Sequence, residues 1–143
     1  MNKGFTLIEL LIALSLSAIL LGASFYFLST TLKSVSKVQK EIERFRSSQI
    51  VLQRITREVR GAKSILSTSN QNRLVLNCSP DIITYDFKDD KVRRIKNLSG
   101  SYLTTENQIQ RLSFSYPAAN LVEIQIKAGR KIWISKALVR NHE

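Results

Sequence analysis

The chain has 143 residues, enough for one domain plus an anchor, and carries 22 basic against 11 acidic side chains for a net charge of +11. A single cysteine, Cys78, excludes an intrachain disulfide, and one histidine, His142 near the end of the chain, cannot build a metal site with it. With no nucleophile–base set and only five scattered glycines, neither a hydrolase triad nor a phosphate-binding loop is legible. The expectation is a non-enzyme without cofactor or metal.

Phe5 to Leu28 is an uninterrupted apolar run of about 24 residues, sufficient for a hydrocarbon core of about 30 Å. Glu9 is its only charge. A lone ionised side chain in such a segment costs about 2.5–3.5 kcal/mol at a helix centre, so Glu9 demands a partner. A secretory signal peptide would have a shorter apolar region followed by a small-residue cleavage site. On physics alone the run also reads as a plain signal anchor, with Glu9 tolerated near the membrane face.

The string Gly4-Phe5-Thr6-Leu7-Ile8-Glu9 resembles the processing motif of type IV pilins and of type II secretion pseudopilins, and Met1-Asn2-Lys3-Gly4 resembles their short basic leader. The resemblance implies cleavage by a prepilin peptidase between Gly4 and Phe5. It also implies methylation of the new amine on Phe5, and pairing of Glu9 with a neighbouring subunit's terminal amine. The implied partners are that peptidase, other pilin or pseudopilin subunits and an inner-membrane assembly platform. The implied location is the inner membrane, in a single pass, with the C-terminal domain outside the cytoplasm and the subunit built into a filament. Pairing of an ammonium with a carboxylate in hydrocarbon relieves both charges, and a misregistered subunit leaves both unpaired, so Glu9 would set register. Many major pilins carry a proline within this helix; here Tyr26 occupies that region, and Gly22 is the one helix weakener, where a kink is conceivable.

Beyond the apolar run, Lys33, Lys37, Lys40, Arg44 and Arg46 follow closely, whereas only Lys3 precedes it. The positive-inside rule alone would keep the C-terminal part in the cytoplasm, against the orientation that the motif implies. The motif is given precedence, because the peptidase acts at the cytoplasmic face. The helix is expected to continue to about Lys63, with Val35, Val38, Ile42, Phe45, Gln49, Leu52, Val59 and Ala62 forming one stripe. The half from Leu52 onward suits packing on the chain's own domain, and the earlier half suits other subunits. The long row of basic residues on this helix reads first as a solvated face.

After the polar stretch Ser67 to Asn72 the period becomes two. Leu74, Leu76 and Cys78 form one strand face, with Cys78 a buried strand residue, and Ile83, Tyr85 and Phe87 form another. Asp89-Asp90 turns into Lys91 to Lys96, completing a hairpin; Asn97 to Glu106 is turn-rich, and Asn97-Leu98-Ser99 reads as a turn although it matches a glycosylation sequon. Leu112, Phe114 and Tyr116 alternate, as do Val122, Ile124 and Ile126; a turn at Gly129-Arg130 leads into Lys131 to Ala137, with Ile132 and Ile134 facing one way and Trp133 the other. Short turns without helical crossovers favour an antiparallel sheet. The fold class expected is therefore α+β, a long N-terminal helix packed on an antiparallel sheet. Its segments would be a leader (1–4), a transmembrane half-helix (5–28), an amphipathic half-helix (29–66) and a sheet domain (67–143).

That layout resembles the pilin architecture. Gln53 to Ala62, Ile83 to Phe87 and Val92 to Arg94 also resemble the minor-pilin group of type II secretion J subunits and type IV pilus W-like proteins, which implies a minor subunit acting in assembly initiation. The competing expectation is DNA capture: Lys88, Lys91, Arg93, Arg94 and Lys96 make a basic hairpin, with Tyr102 near enough in sequence to stack on a base.

Overall fold

The computed structural model describes residues 6–140. Helix α1 (Leu7–Gly61) precedes strands β1 (Ser64–Ile65), β2 (Arg73–Cys78), β3 (Asp81–Lys88), β4 (Lys91–Lys96), β5 (Ser99–Tyr102), β6 (Arg111–Ala118), β7 (Leu121–Ala128) and β8 (Lys131–Leu138). The strands form not one sheet but two, both antiparallel, in the orders β1-β2-β3-β4-β5 and β6-β7-β8. The chain divides into two compact units, residues 1–40 and 41–143, and α1 runs through both.

In the first unit every described residue is exposed, including Leu7, Ile8, Leu11, Leu14, Leu20, Phe25 and Phe27. A helix that is apolar all round has no single face to bury, and only a lipid or protein environment removes it from water. α1 is long and apolar enough to cross a membrane. It is continuous through Gly22, so the weak point read there produces no break.

In the second unit α1 turns one face inward. Ser48, Val51, Leu52, Ile55, Val59 and, just past the helix, Ala62 are buried, whereas Ile42 and Phe45 remain about half exposed. The division within the expected stripe is present, but its face also includes Val51 and Ile55. Those two complete the three- and four-residue spacing that a wide helix–sheet contact needs. The helix ends at Gly61, and the amide of Lys63 donates to the carbonyl of Asn77 at 2.7 Å, starting β1.

The buried side chains from α1, from β2 to β4 and from all three strands of the second sheet make one core. Register explains their alignment: Leu74 faces Tyr85, Leu76 faces Ile83, Leu112 faces Ile126 and Phe114 faces Ile124. The β3–β4 turn at Asp89 and Asp90 has φ of 54° and 55°, the left-handed pair that a two-residue hairpin demands. Gly129 supplies the same conformation between β7 and β8, and an added Cβ there would lie 3.3 Å from an Arg44 Nη. The turn-rich stretch after Asn97 contains a strand the alternation did not reveal: β5, four exposed residues at the edge of the first sheet. It shows no alternation because nothing covers either of its faces. Cys78 is half-buried, not buried, since it ends β2 beside the Ser79-Pro80 turn. Burial still raises its thiol pKa, with Glu58 adding to the effect.

Ile55→Ala should destabilise the second unit by about 3 kcal/mol, through lost burial and the cavity left behind. Ile42→Ala should stay within about 0.5 kcal/mol. Denaturant titration of the full chain in detergent, followed by tryptophan fluorescence from Trp133, compares the two.

Candidate functional site

The N-terminal site starts from the hydrogen-bonding needs of a helix end. The first amides of α1 lack intrahelical acceptors, and hydrocarbon supplies none. Thr6 and Glu9 meet that need together. The Thr6 amide and Thr6 hydroxyl both donate to Glu9 Oε2 at 2.9 Å, and the Glu9 amide reaches Thr6 Oγ1 at 3.4 Å. This is a capping box, with threonine at the cap and glutamate three residues on. Glu9 is thus not without a partner in its own chain, as its isolation in the sequence suggested. The signal lay in the Thr6-Leu7-Ile8-Glu9 spacing. Hydrogen bonding leaves its charge unneutralised, however, and among the described residues no cation pairs with it.

The serine and threonine hydroxyls of this stretch are satisfied along the helix itself. Ser15 and Ser17 donate to the carbonyls of Leu11 and Ala13, and Ser24 donates to Leu20, each at 2.8 Å. Ser29, Thr30 and Thr31 bond to the carbonyls of Tyr26 and Phe27. Serine and threonine can therefore enter lipid at little cost, whereas the Glu9 charge has no cation beside it among the described residues. Gly4 and Phe5, the residues read as flanking the cleavage point, lie outside the described residues, as does His142.

The basic hairpin is distributed by strand alternation. Lys88, Lys91 and Arg93 fall on one face of the first sheet, and Arg94 and Lys96 on the other. Four of the five meet carboxylates. Lys91 Nζ lies 2.7 Å from Glu106, Lys96 Nζ lies 2.7 Å from Asp81, and Arg93 forms a fork with Asp86, its Nε at 2.9 Å. Arg94 points inward to Glu58, with Nε at 3.0 Å from Oε1. Lys88 is left without an ion pair among the described residues. Tyr102 is occupied as well, with Lys91 Nζ 5.4 Å above its ring and its hydroxyl 3.3 Å from Asp89.

Glu58 gathers the buried charge. Besides Arg94 it accepts the Tyr85 hydroxyl at 2.6 Å and has Arg54 at 3.6 Å, with its side chain only 15% exposed and that of Arg94 only 14%. A lone acid within the run Arg54, Arg57, Arg60 was the sequence signal for this knot. Burial raises the Tyr85 phenol strongly, and its hydrogen bond to Glu58 adds to the shift. Tyr116, whose hydroxyl donates to the carbonyls of Asn70 and Arg73 at 3.1 Å, is pushed up to about 12 by burial. Ion pairing holds the carboxyls of Asp81 and Glu106 below their usual range. The sequon nitrogen of Asn97 is engaged, donating to Asp81 at 3.0 Å, while the Asn97 carbonyl oxygen accepts the Ile82 amide. Among the described residues no cluster of three or more His, Cys, Asp or Glu residues suits a metal ion.

Residues 1–25 match the family profile described as "Prokaryotic N-terminal methylation motif". Comparison with curated proteins and with solved structures gave no match. The motif, followed by an exposed apolar helix and a helix-on-sheet domain, supports a structural subunit of the type IV pilin or pseudopilin kind. The same motif implies processing by a prepilin peptidase and assembly with other pilin subunits.

Glu58→Ala would strand Arg94 and should destabilise the domain by roughly 3 kcal/mol. At alkaline pH, the raised phenols contribute stability that is complete below the ordinary tyrosine pKa of about 10. That contribution is lost as pH rises toward the folded-state value, which is about 12 for Tyr116. Unfolding midpoints measured upward from neutral pH should therefore fall above about pH 10, and Tyr116→Phe should flatten part of the decline.

Proposed function

We propose that the chain is a minor pilin or pseudopilin. It would be cleaved after Gly4, methylated on Phe5 and inserted once in the inner membrane with its sheet domain outside the cytoplasm, and would serve as a filament subunit in assembly initiation. The observation that carries this reading is Glu9: the one charge of the apolar stretch, at the methylation motif, hydrogen-bonded by Thr6 yet without a counter-charge among the described residues. A neighbouring subunit's terminal amine supplies what is missing. The resemblance of Gln53 to Ala62 and of the β3–β4 hairpin to J- and W-like subunits supports the minor role.

The capping box makes two roles of Glu9 separable. Glu9→Gln keeps an oxygen to accept from Thr6 but removes the charge, whereas Glu9→Ala removes both. If Glu9 sets register by charge, both variants insert and are cleaved, and both fail in assembly to a similar extent. Normal filaments from Glu9→Gln would leave only the capping role. Mass spectrometry of the N-terminus checks processing: the expected product lacks Met1 to Gly4 and carries one added methyl group, and an intact Met1 in cells with a prepilin peptidase would refute the reading. A periplasmic reporter fused after Glu143 should be active, despite the basic residues from Lys33 onward.

The DNA-capture reading draws less support, because four of the five hairpin cations already face carboxylates. We infer that the hairpin is mainly structural. Duplex DNA titrated with the full chain at low salt should bind no more weakly after Lys88→Ala or Lys91→Ala.

A further inference from the structure

Three sheet edges are protected and one is not. β1 has two residues and β5 has four, too short to template much pairing. β6 is covered, because Phe114 donates its amide to Gln71 and Tyr116 bonds to the loop at Asn70. β8 is eight residues long and pairs only with β7. Among the described residues nothing hydrogen-bonds to its outer backbone edge.

Its exposed face is apolar. Ile132, Ile134 and Leu138 are 57%, 56% and 57% exposed, while Trp133, pointing the other way, packs against Phe45 with ring centroids 5.1 Å apart. The one charge in that exposed row, Lys136, is tied to Glu123 at 3.2 Å and so guards the edge poorly. Monomers seldom leave a long strand edge and an aliphatic row exposed together.

Charge selects what fits. From Arg130 to Arg140 the chain has four cations, Arg130, Lys131, Lys136 and Arg140, and no carboxylate. On the same sheet face Arg111 lies directly opposite Lys127, a like-charge pair that is unfavourable without an anion nearby, and Ile132 follows in the same row. Arg44 reaches the turn at Gly129. Glu123 on β7 forms an ion pair with Lys136, and Glu143, which follows Arg140 by three residues, lies outside the described residues. A second copy of β8 would add the same cations without a carboxylate between Arg130 and Arg140.

We propose that β8 is a docking edge for a different protein, which adds an extended segment whose side chains on the Ile132 face are both aliphatic and acidic. The backbone ladder supplies affinity, Ile132, Ile134 and Leu138 offer apolar contact to the aliphatic side chains, and Arg111, Lys127 and Lys136 on the same face select the acids. This site is independent of the methylation motif, so it stands or falls without the filament reading.

The test uses the full chain in detergent and a soluble peptide with the length of β8, in which valine and glutamate alternate on one strand face and threonine fills the other, read by amide hydrogen exchange. Exchange at alternate β8 amides should slow about tenfold or more, and the same peptide with lysine in place of glutamate should leave it unchanged. Ile134→Asn, at an exposed position, should weaken peptide binding at least about tenfold while leaving the unfolding midpoint in place, and Ile134→Val should retain binding. The proposal is overturned by unchanged β8 exchange with the acidic peptide. It is equally overturned if the β8 edge becomes protected by raising the protein concentration alone, which indicates self-association, or if duplex DNA protects it as well as the peptide does.

Discussion

One helix has to satisfy two different surroundings, and everything else follows from how α1 does so. Its backbone is satisfied internally, which is what a hydrocarbon setting requires. Its serines and threonines fold back on its own carbonyls, and its first turn is closed by Thr6 and Glu9. The same helix then presents a single buried face from Ser48 to Val59, on which both sheets assemble their core. In its first part the helix exposes apolar side chains on every side, and that surface has to be covered by lipid or by like helices.

The distribution of charge follows a second rule. A net charge of +11 suggests a polyanion partner when read as a sum. In the fold, carboxylates are spent where cations would otherwise crowd. Asp81, Asp86 and Glu106 neutralise the β3–β4 hairpin, and Glu58 holds Arg94 in the half-dry space between helix and sheet. The cations left over gather instead around the β7–β8 turn and along α1. The basic hairpin and the basic surface are therefore different places.

Much of the fold was legible because burial imposes period. The alternation of Leu112, Phe114 and Tyr116, of Val122, Ile124 and Ile126, and of Ile132, Trp133 and Ile134 reproduces β6, β7 and β8. The unbroken stretch without proline gives the long helix. Where burial is missing the pattern fails, as it does for β5, whose four residues are all exposed. Nor does alternation count sheets: the split into five and three strands depends on which edges pair, a long-range property that no local period carries. The helix stripe was read incompletely, because Val51 and Ile55 belong to its buried face, while Ile42 stays exposed and Phe45 meets Trp133 of β8 at its margin.

The methylation motif, the apolar span, the solitary position of Glu9 and the α+β class were set by the order of residues alone, since each rests on local spacing or composition. The tertiary structure decided which charges remain free, because pairing across strands joins residues such as Arg94 and Glu58 that are far apart in the chain. It also decided that β8 stands at an open edge, because an edge exists only once the neighbouring strands have taken their places.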